Sequence, residues 1–194
     1  MRHEYGATYR HVELRPLREE DIECLRIWRN DVEATKFLRP IGHITPEMQA
    51  QWFSNYLENE QEIAFAIVET GELNRLVGSV SLYDFHDGVA EIGKIRIGDS
   101  EAHGKGIGRL SLVMAMKIGF ELLGLKKIIA SVHVDNIASY TNFRKIGCIT
   151  TGNHPSVVGG IEDVMEMDEP RLRMANEYVS EIVVKAMKGR RNTL

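Results

Sequence analysis

The sequence predicts a mixed α/β fold made of packed layers of helices and strands. Two changes in hydrophobic spacing support this prediction. Helix-like spacing gives way to strand-like runs near residue 62, and a helix-like run begins again near residue 109. In addition, three strand-like runs follow one another with only short turns between them, which implies an antiparallel meander within a sheet.

The composition favours one domain. The 194 residues are 43% hydrophobic, which suits a single domain with a proper core. A net charge of −4 gives no overall basic field for nucleic acid, and no apolar run reaches the ~18 residues that a membrane span needs. The two cysteines and seven histidines show no disulfide or metal-ligand spacing. Residues 1–16 lack the apolar core of a signal peptide. We therefore expect a cytoplasmic protein with no metal, no nucleic-acid partner and no membrane contact.

The first part of the chain is predicted to form one strand followed by helices. Acidic residues 19–21 suit a first helical turn, and Thr45 with Pro46 is a typical pair at the start of another helix. The predicted elements are a loose lead over 1–8, a strand over 9–14, and helices over 19–30, 31–38 and 46–58.

The rest of the chain alternates between strands and helices. Branched apolar residues over 63–68 indicate a buried strand, and Asp87 with Gly88 is a hairpin signal. Asn136 can cap a helix that Gly147 ends. The predicted elements are strands over 63–68, 76–83, 89–98, 127–134, 148–151 and 161–167, helices over 109–123, 136–146 and 171–187, and a turn-rich loop over 152–160.

Residues 103–108, with the sequence His-Gly-Lys-Gly-Ile-Gly, join a strand to the helix over 109–123. Glycines let backbone N–H groups turn toward one point, and a helix N-terminus adds unpaired donors and a partial positive charge. Such a loop predicts a phosphate or pyrophosphate site. The dinucleotide fingerprint fails because Arg109 stands where its third glycine should be, and a P-loop fails because Lys105 is followed by glycine. A glycine-rich helix start without a ligand is the alternative.

Residues 103–108 resemble the cofactor loop of the GNAT superfamily of N-acyltransferases, except that His103 replaces the usual arginine or glutamine. Residues 136–148 resemble the family's second signature, which runs here from Asn136 through Phe143 to Cys148. The element order is similar to the GNAT fold throughout about 10–168. Residues 14–30 look like the branch of ribosomal-protein, spermidine and nucleotide-sugar acetyltransferases. The chain is therefore identified as a member of this family.

The resemblance implies a GNAT acyltransferase domain over 1–168. Its mixed, mostly antiparallel sheet would splay at the centre and carry helices on both faces. Residues 169–194 would add a C-terminal helix and a basic tail. Because that helix is amphipathic, it would either pack on the domain or form a homodimer.

The resemblance also implies acetyl-CoA as co-substrate, with its pantetheine arm in the split of the sheet. Backbone groups of the preceding strand would bond the arm like an added strand, and the glycine loop would hold the pyrophosphate. The residues assigned to the cofactor are Ile95, Arg96, Ile97, His103, Gly104, Lys105, Gly106, Ile107, Gly108, Arg109, Asn136 and Ser139. Lys105 and Arg109 are equally explained as solvated cations, and Asn136 as a helix cap.

The implied reaction is direct attack of a neutral amine on the thioester, which needs a base and an oxyanion donor. Glu91 is the candidate base, because the matching strand of the family often carries an acid there. A surface glutamate is the alternative, and His133 and Asp135 are rivals. The family's second motif often holds a tyrosine that protonates the thiolate, but this chain has Phe143. Tyr140, one helical turn earlier, is the candidate acid, although a thiolate can also leave unassisted.

These features predict an N-acetyltransferase that acts on a primary amine of a small molecule, such as a polyamine, an aminoglycoside or an amino-sugar nucleotide. The early helices with their loop, roughly residues 30–52, and the loop over 152–160 would contact the acceptor. Arg29, Lys36 and Arg39 favour a nucleotide sugar weakly. The alternatives are N-terminal acetylation of a protein such as a ribosomal protein, and a non-catalytic acyl-CoA-binding module.

Overall fold

The computed structural model describes residues 2–186, and its framework is one nine-stranded sheet. The strands are β1 (Tyr5–Tyr9), β2 (Val12–Pro16), β3 (Glu62–Glu69), β4 (Arg75–His86), β5 (Val89–Ile97), β6 (Lys127–His133), β7 (Ile149–Pro155), β8 (Ile161–Met167) and β9 (Val183–Ala186). Their order across the sheet is β7-β8-β6-β5-β4-β3-β2-β1-β9. Every neighbouring pair is antiparallel except β5 and β6, which run parallel.

Helices cover both faces of this sheet. They are α1 (Ile22–Arg29), α2 (Val32–Thr35), α3 (Pro46–Glu58), α4 (Ile107–Glu121), α5 (Ile137–Lys145) and α6 (Glu169–Ala175). The helix α4 lies in the main core together with buried side chains of α5 and α6. On the other face, Tyr56 of α3 and Leu17 pack on Ala64 and Ala66 of β3. The mixed α/β fold with helices on both faces is confirmed.

The sheet is splayed between its two parallel strands. β5 pairs with β6 only over Val89–Glu91, opposite residues 127–129. Beyond Glu91, β5 keeps its partner β4, whereas β6 continues beside β8. The two strands therefore diverge toward their carboxyl ends, as the expected split requires.

The N-terminal strand was placed wrongly. Residues 9–14 do not form one strand, because the chain turns at Arg10 and His11 and folds back as the hairpin of β1 and β2. Arg10 adopts the left-handed conformation, with φ of 50°. The predicted loose lead over 1–8 therefore contains most of β1. Its Gly6 and Ala7 lie buried in the sheet, but they give a weak hydrophobic signal.

The C-terminal prediction is also wrong. Instead of a helix over 171–187, the chain forms α6, a 3-10 turn over Glu177–Glu181 and the strand β9. Asn176 ends the helix, because its buried amide donates to the carbonyl oxygens of Leu172 at 3.0 Å and Ile146 at 2.9 Å. β9 then pairs with β1. The segment packs on its own domain, while the predicted helix end at residue 187 and the basic tail lie outside the described residues.

Two smaller boundaries differ from the prediction. The helix predicted over 31–38 is the single turn α2, after which the chain becomes irregular. The strand predicted over 148–151 extends through Pro155 as β7 and takes up half of the predicted loop over 152–160. Its residues are all exposed, so they lack the apolar pattern that marks a strand in sequence.

Candidate active site

The candidate site lies where β5 and β6 separate. Because these strands are parallel, their carboxyl ends meet at the same edge of the sheet, and the helices that follow them, α4 and α5, start at that edge. In open α/β sheets, ligands bind in the crevice outside the carboxyl ends of the strands. Both helix N-termini and the diverging strand edges therefore border one crevice.

A β-bulge interrupts the pairing of β5 with β4 beside the crevice. Ser81 of β4 pairs with Gly93 and Ser79 pairs with Arg96, so one residue of β4 lies opposite both Lys94 and Ile95. Lys94 adopts φ of 50°. A bulge re-aims side chains and frees backbone groups from the ladder. The bulge therefore includes Ile95 and lies directly before Arg96 and Ile97, and these three residues are the ones expected to bond the pantetheine arm.

The glycine loop leaves space at the start of α4. Gly104 and Gly106 have φ of 74° and 76°, and a Cβ added at either position would meet no atom within 4 Å. Gly106 is the N-cap and has no side chain to accept from the N–H groups of the first helical turn. Gly108 faces the strand instead, because its Cβ would lie 3.3 Å from Cγ1 of Ile97. An open, uncapped helix start of this kind fits an anionic group.

His103 connects the loop to the strand. Its Nε2 lies 2.8 Å from the carbonyl oxygen of Ile97, the last residue of β5. The imidazole therefore fixes the loop to the strand end. The family's usual arginine or glutamine is thus replaced by a side chain whose contact here is with the protein's own backbone.

The two cations of the loop contact the protein surface. Lys105 forms an exposed ion pair with Glu72, Nζ to Oε2, at 3.0 Å. That carboxylate raises the pKa of Lys105. Arg109 lies close to Tyr178, where burial raises the pKa of the phenol and the Arg109 charge offsets part of that rise. The exposed ion pair favours the solvated-cation interpretation for Lys105, whereas Arg109 is half-buried.

Glu91 occupies the point at which the strands separate. Its Oε1 accepts hydrogen bonds from the Tyr83 hydroxyl at 2.9 Å and from the Ser131 N–H of β6 at 3.3 Å. Burial raises the pKa of Tyr83 far above its usual value, and the Glu91 charge raises it further. Tyr83 therefore stays protonated and donates to Glu91. The carboxylate is held by donors on both sides of the split.

An ion pair between Lys94 and Glu62 lies beside Glu91 on the same face of the sheet. Lys94 Nζ lies 2.7 Å from Oε2 of the buried Glu62 and 4.6 Å from the centre of the Tyr83 ring. The Lys94 ammonium thus balances part of the negative charge of Glu62 and Glu91 next to the crevice.

The end of α1 covers the end of β5 on this face. The Trp28 ring lies directly on Gly98, where any Cβ would clash with the indole. The Arg96 guanidinium donates to the Trp28 carbonyl. Burial lowers the pKa of Arg96, and the charge of Arg29 lowers it further. Trp28 thus contacts the end of β5 at the candidate site.

The start of α5 borders the opposite side of the crevice. Asn136 caps the helix, since its Oδ1 accepts from the Ser139 N–H at 3.1 Å. Tyr140 is half-buried and packs against the main core, whereas Phe143 is fully buried within it. Burial also raises the pKa of Cys148 to about 12, which excludes it as a nucleophile at neutral pH.

The remaining rivals for the base lie at the end of β6. His133 is only 8% exposed, and its Nδ1 accepts from the Asp135 N–H at 3.1 Å. The Asp135 carboxylate itself points to solvent, with 79% of its side chain exposed. Within residues 2–186, no group of three or more histidine, cysteine, aspartate or glutamate side chains is arranged to hold a metal ion. No helix in that range has the length and apolarity to cross a bilayer.

Sequence reasoning missed several features of this site. These are the contacts of His103 with Ile97 and of Tyr83 with Glu91, the left-handed bulge at Lys94, and the position of Trp28 over Gly98. The strand alternation could have placed Tyr83 and Glu91 on one face only once the register of β4 against β5 was known. The bulge carries no sequence signal, because lysine rarely adopts positive φ.

Comparison with known proteins agrees with this architecture. The family model for the acetyltransferase (GNAT) domain matches residues 11–149. A relative from Nematostella vectensis, an N-acetyltransferase 9-like protein, is 26% identical over 148 residues, which cover 68% of this chain and 71% of the relative.

Solved structures share the fold. Spermidine N-acetyltransferase from Vibrio cholerae, in complex with CoA and spermine, superposes with a TM-score of 0.75 at 20% identity over 84% of this chain and 98% of that chain. The ribosomal-protein-S5-alanine acetyltransferase from Vibrio fischeri superposes with a TM-score of 0.71 at 20% identity over 83% and 94%. At these identities the likeness shows the fold alone.

Proposed function

Because the chain belongs to the GNAT acetyltransferase family and is an N-acyltransferase, we propose that it transfers acetyl from acetyl-CoA to a primary amine of a small molecule. The observation that carries this proposal is the crevice between β5 and β6, with the uncapped start of α4 at its mouth and Glu91 where the strands part.

We assign the pantetheine arm to the edge of β5 from which β6 has diverged. Backbone groups of Ile95, Arg96 and Ile97 would bond it as an added strand does, because β6 has already diverged at that level. The pyrophosphate would lie on the N–H groups at the start of α4, where Gly104 and Gly106 leave open space. Asn136 would add a contact from α5 through its amide nitrogen, since its oxygen serves as the helix cap.

We assign the proton transfers to Glu91 and Tyr140. The amine arrives as an ammonium, and Glu91 would take its proton directly or through a water. The amine nitrogen then attacks the thioester carbonyl and forms the carbon–nitrogen bond, the carbon–sulfur bond breaks, and the thiolate leaves. A backbone N–H near Ile97 would stabilise the oxyanion, and the Tyr140 hydroxyl would protonate the thiolate. A second proton leaves the nitrogen as the amide forms, and it restores the Tyr140 hydroxyl after that group has protonated the thiolate.

The acceptor classes are distinguished by charge. Glu62 and Glu91 on one face would attract a polyamine or an aminoglycoside, whereas Arg29 and Arg96 at the end of α1 and β5 would attract an acceptor with a phosphate. The Vibrio cholerae relative is a spermidine acetyltransferase in complex with spermine, which supports a small-molecule amine.

Acetylation of a protein N-terminus is the second candidate. The Vibrio fischeri relative, named as a ribosomal-protein-S5-alanine acetyltransferase, shares the fold and favours its inclusion. A peptide acceptor would need a groove open along the end of α1, so short peptides belong in the substrate panel.

The first test is calorimetric titration with acetyl-CoA, followed by thiol release over polyamines, aminoglycosides, amino-sugar nucleotides and short peptides. We expect binding, and turnover with one acceptor class. Glu91→Gln should retain acetyl-CoA binding and lose roughly 10²- to 10⁴-fold in kcat, the range for a general base. A wild-type rate in Glu91→Gln would exclude Glu91 as the base. Binding without turnover on any acceptor would favour the acyl-CoA-binding module.

A further inference from the structure

His133 lies at the carboxyl end of β6 beside the crevice, and both of its ring nitrogens are engaged. Nε2 lies 2.8 Å from the Gly159 carbonyl oxygen, and Nδ1 lies 3.1 Å from the Asp135 backbone nitrogen. A carbonyl only accepts, so Nε2 carries the hydrogen. An N–H only donates, so Nδ1 presents its lone pair. Neutral His133 therefore has no lone pair left for the proton of an acceptor amine, which removes it as a rival to Glu91.

The same ring also contacts a second segment of the chain. The centre of the Phe37 ring lies 5.0 Å from the centre of the His133 ring. Phe37 is half-buried in the chain between α2 and α3, the stretch expected to line the acceptor site. Aromatic rings at this separation attract one another beyond the area that they bury.

The turn between β7 and β8 is shaped around the histidine. Gly160 adopts φ of 79°, and a Cβ there would lie 2.8 Å from Nε2 of His133. Gly159, with φ of 88°, supplies the carbonyl that accepts from this nitrogen. The two glycines thus let the turn approach the ring closely. One side chain of β6 is in contact with both segments that were expected to bind the acceptor.

We propose that His133 is a positioning residue that holds the segment over 36–43 and the turn over 156–160 in place beside the crevice, and thereby sets the affinity for the acceptor amine. The effect on the acceptor rests on the proposed acetyl transfer. The holding of the two segments rests on the contacts alone.

Two substitutions separate the contacts. His133→Phe retains a ring against Phe37 but removes both hydrogen bonds. His133→Gln retains a donor for Gly159 but removes the ring. His86→Gln is the matched control, because His86 also contacts a backbone carbonyl at 2.8 Å, yet it lies exposed in the distant β4–β5 turn.

Hydrogen–deuterium exchange with the full chain measures directly how well the backbone amides of each segment are protected. We expect faster exchange over 156–160 in His133→Phe, over 36–43 in His133→Gln, and over neither segment in His86→Gln. In turnover with the confirmed acceptor, KM for the acceptor should rise roughly fivefold in each His133 variant, the factor expected when a segment loses either its one hydrogen bond or its one ring contact with His133. Both kcat and the Kd of acetyl-CoA should change less than that.

Three outcomes would overturn the proposal. Unchanged exchange in both His133 variants would show that the ring holds neither segment. A loss of kcat with an unchanged acceptor KM would make His133 a catalytic group instead. An unchanged acceptor KM despite faster exchange would show that the contacts of His133 do not affect acceptor binding. If both variants unfold, Gly160→Ala disturbs the same contact from the turn, and it should give the exchange and KM changes of His133→Phe.

If the wild-type protein acetylates no amine in the panel, the proposed function fails, but the exchange measurement still decides whether His133 holds the two segments.

Discussion

At the residue scale, the Tyr83 hydroxyl is the side-chain donor that orients the proposed base. Tyr83→Phe removes the 2.9 Å hydrogen bond to Glu91 and leaves the ring in place under Lys94. We expect kcat to fall roughly tenfold, because a carboxylate with one fewer hydrogen-bond donor is held less precisely in the orientation that accepts the proton of the amine. Acetyl-CoA affinity should be unchanged. The measurement is steady-state thiol release with the confirmed acceptor.

Tyr56→Phe is the matched control for this prediction. The Tyr56 hydroxyl accepts from the Ala64 N–H at 3.1 Å on the same face of the sheet, and burial raises its pKa to about 12. Its loss should lower the free energy of unfolding but leave kcat unchanged. Equal losses of kcat in both variants would mean that the effect is structural and not specific to Glu91.

The glycine at the start of α4 allows a test of the proposed anion site. Gly106 and Gly124 both adopt positive φ, at 76° and 67°, and a Cβ at either would meet no atom within 4 Å. Alanine at either position should therefore lower stability by about 1–2 kcal/mol through backbone strain alone. Only Gly106→Ala should also weaken acetyl-CoA, because its methyl group would face the pyrophosphate. Calorimetric titration of both variants measures this, and equal affinities would place the pyrophosphate elsewhere.

His3 gives stability a defined pH dependence. Burial lowers its pKa below the ordinary value of 6.5, and the hydrogen bond to the Ala64 carbonyl offsets only part of that effect. The unfolded chain therefore binds a proton at higher pH than the fold does. The contribution of His3 is fully present above about pH 6.5 and is lost as pH falls toward the lower folded-state pKa.

The change to test this is His3→Gln, with thermal unfolding followed between pH 7.5 and 5 as the measurement. We expect the wild-type midpoint to fall more steeply below about pH 6.5 than that of the variant. Parallel curves would assign the acid sensitivity to other groups.

The function of a single residue could be predicted from sequence only where few residue types can perform that function. The glycines at 104 and 106 and the acid at 91 are of this kind, since few other residues serve such a loop or a base. Tyr83 was missed as a site residue, whereas His103 and Phe37 were expected at the site but were given no contact partner. Their roles arise from contacts between segments far apart in the chain, and spacing along a sequence does not contain those contacts.

At the element scale, a buried ion pair attaches α1 to the sheet. Arg15 of β2 forms a two-pronged contact with Asp21, with both nitrogen–oxygen distances at 2.7 Å, just before α1 begins. Asp21 also accepts from the Arg18 N–H at 2.8 Å. This ion pair fixes the start of α1 on the sheet. The position of that start determines where Trp28, near the other end of the helix, lies over Gly98.

Asp21→Asn tests this anchor. Removing one charge leaves Arg15 buried with a weakened partner, so we expect the free energy of unfolding to fall by about 3–5 kcal/mol. Acceptor turnover should also fall, because Trp28 loses its support. Chemical denaturation measures the first effect. Glu23→Gln, which breaks an exposed ion pair within α1, is the control and should change little.

Element predictions succeeded where hydrophobic spacing decides the outcome. The helix α3 and the strands β3, β4, β5, β6 and β8 lie within a few residues of their expected bounds. They failed where a turn or a tertiary contact overrides spacing. The alternation over 9–14 continues through the turn at Arg10, and the amphipathic pattern after Pro170 is interrupted because Asn176 bonds to two backbone carbonyls.

At the scale of the whole molecule, the C-terminal segment completes the sheet and the core. Val179 and Ile182 are 2% and 3% exposed, and β9 adds a strand beside β1. The buried Lys117 of α4 donates to the Val179 carbonyl at 2.8 Å. The boundary at residue 168 therefore crosses a continuous core, and we expect residues 2–186 to unfold as one cooperative unit.

Ile182→Ala tests whether residues 2–186 unfold as one cooperative unit. Removing a buried aliphatic side chain should lower the free energy of unfolding by about 2–5 kcal/mol. Val183→Ala is the matched control, since Val183 is 58% exposed and should change stability little.

The distinguishing measurement is unfolding followed both by far-ultraviolet circular dichroism and by the Trp28 and Trp52 fluorescence, which reports α1 and α3 on the opposite face from Ile182. If the segment belongs to the domain, both signals shift together in Ile182→Ala. If instead an early transition appears that leaves the tryptophan signal at its wild-type midpoint, residues after 168 form a separate unit, and the division of the chain at that residue is correct.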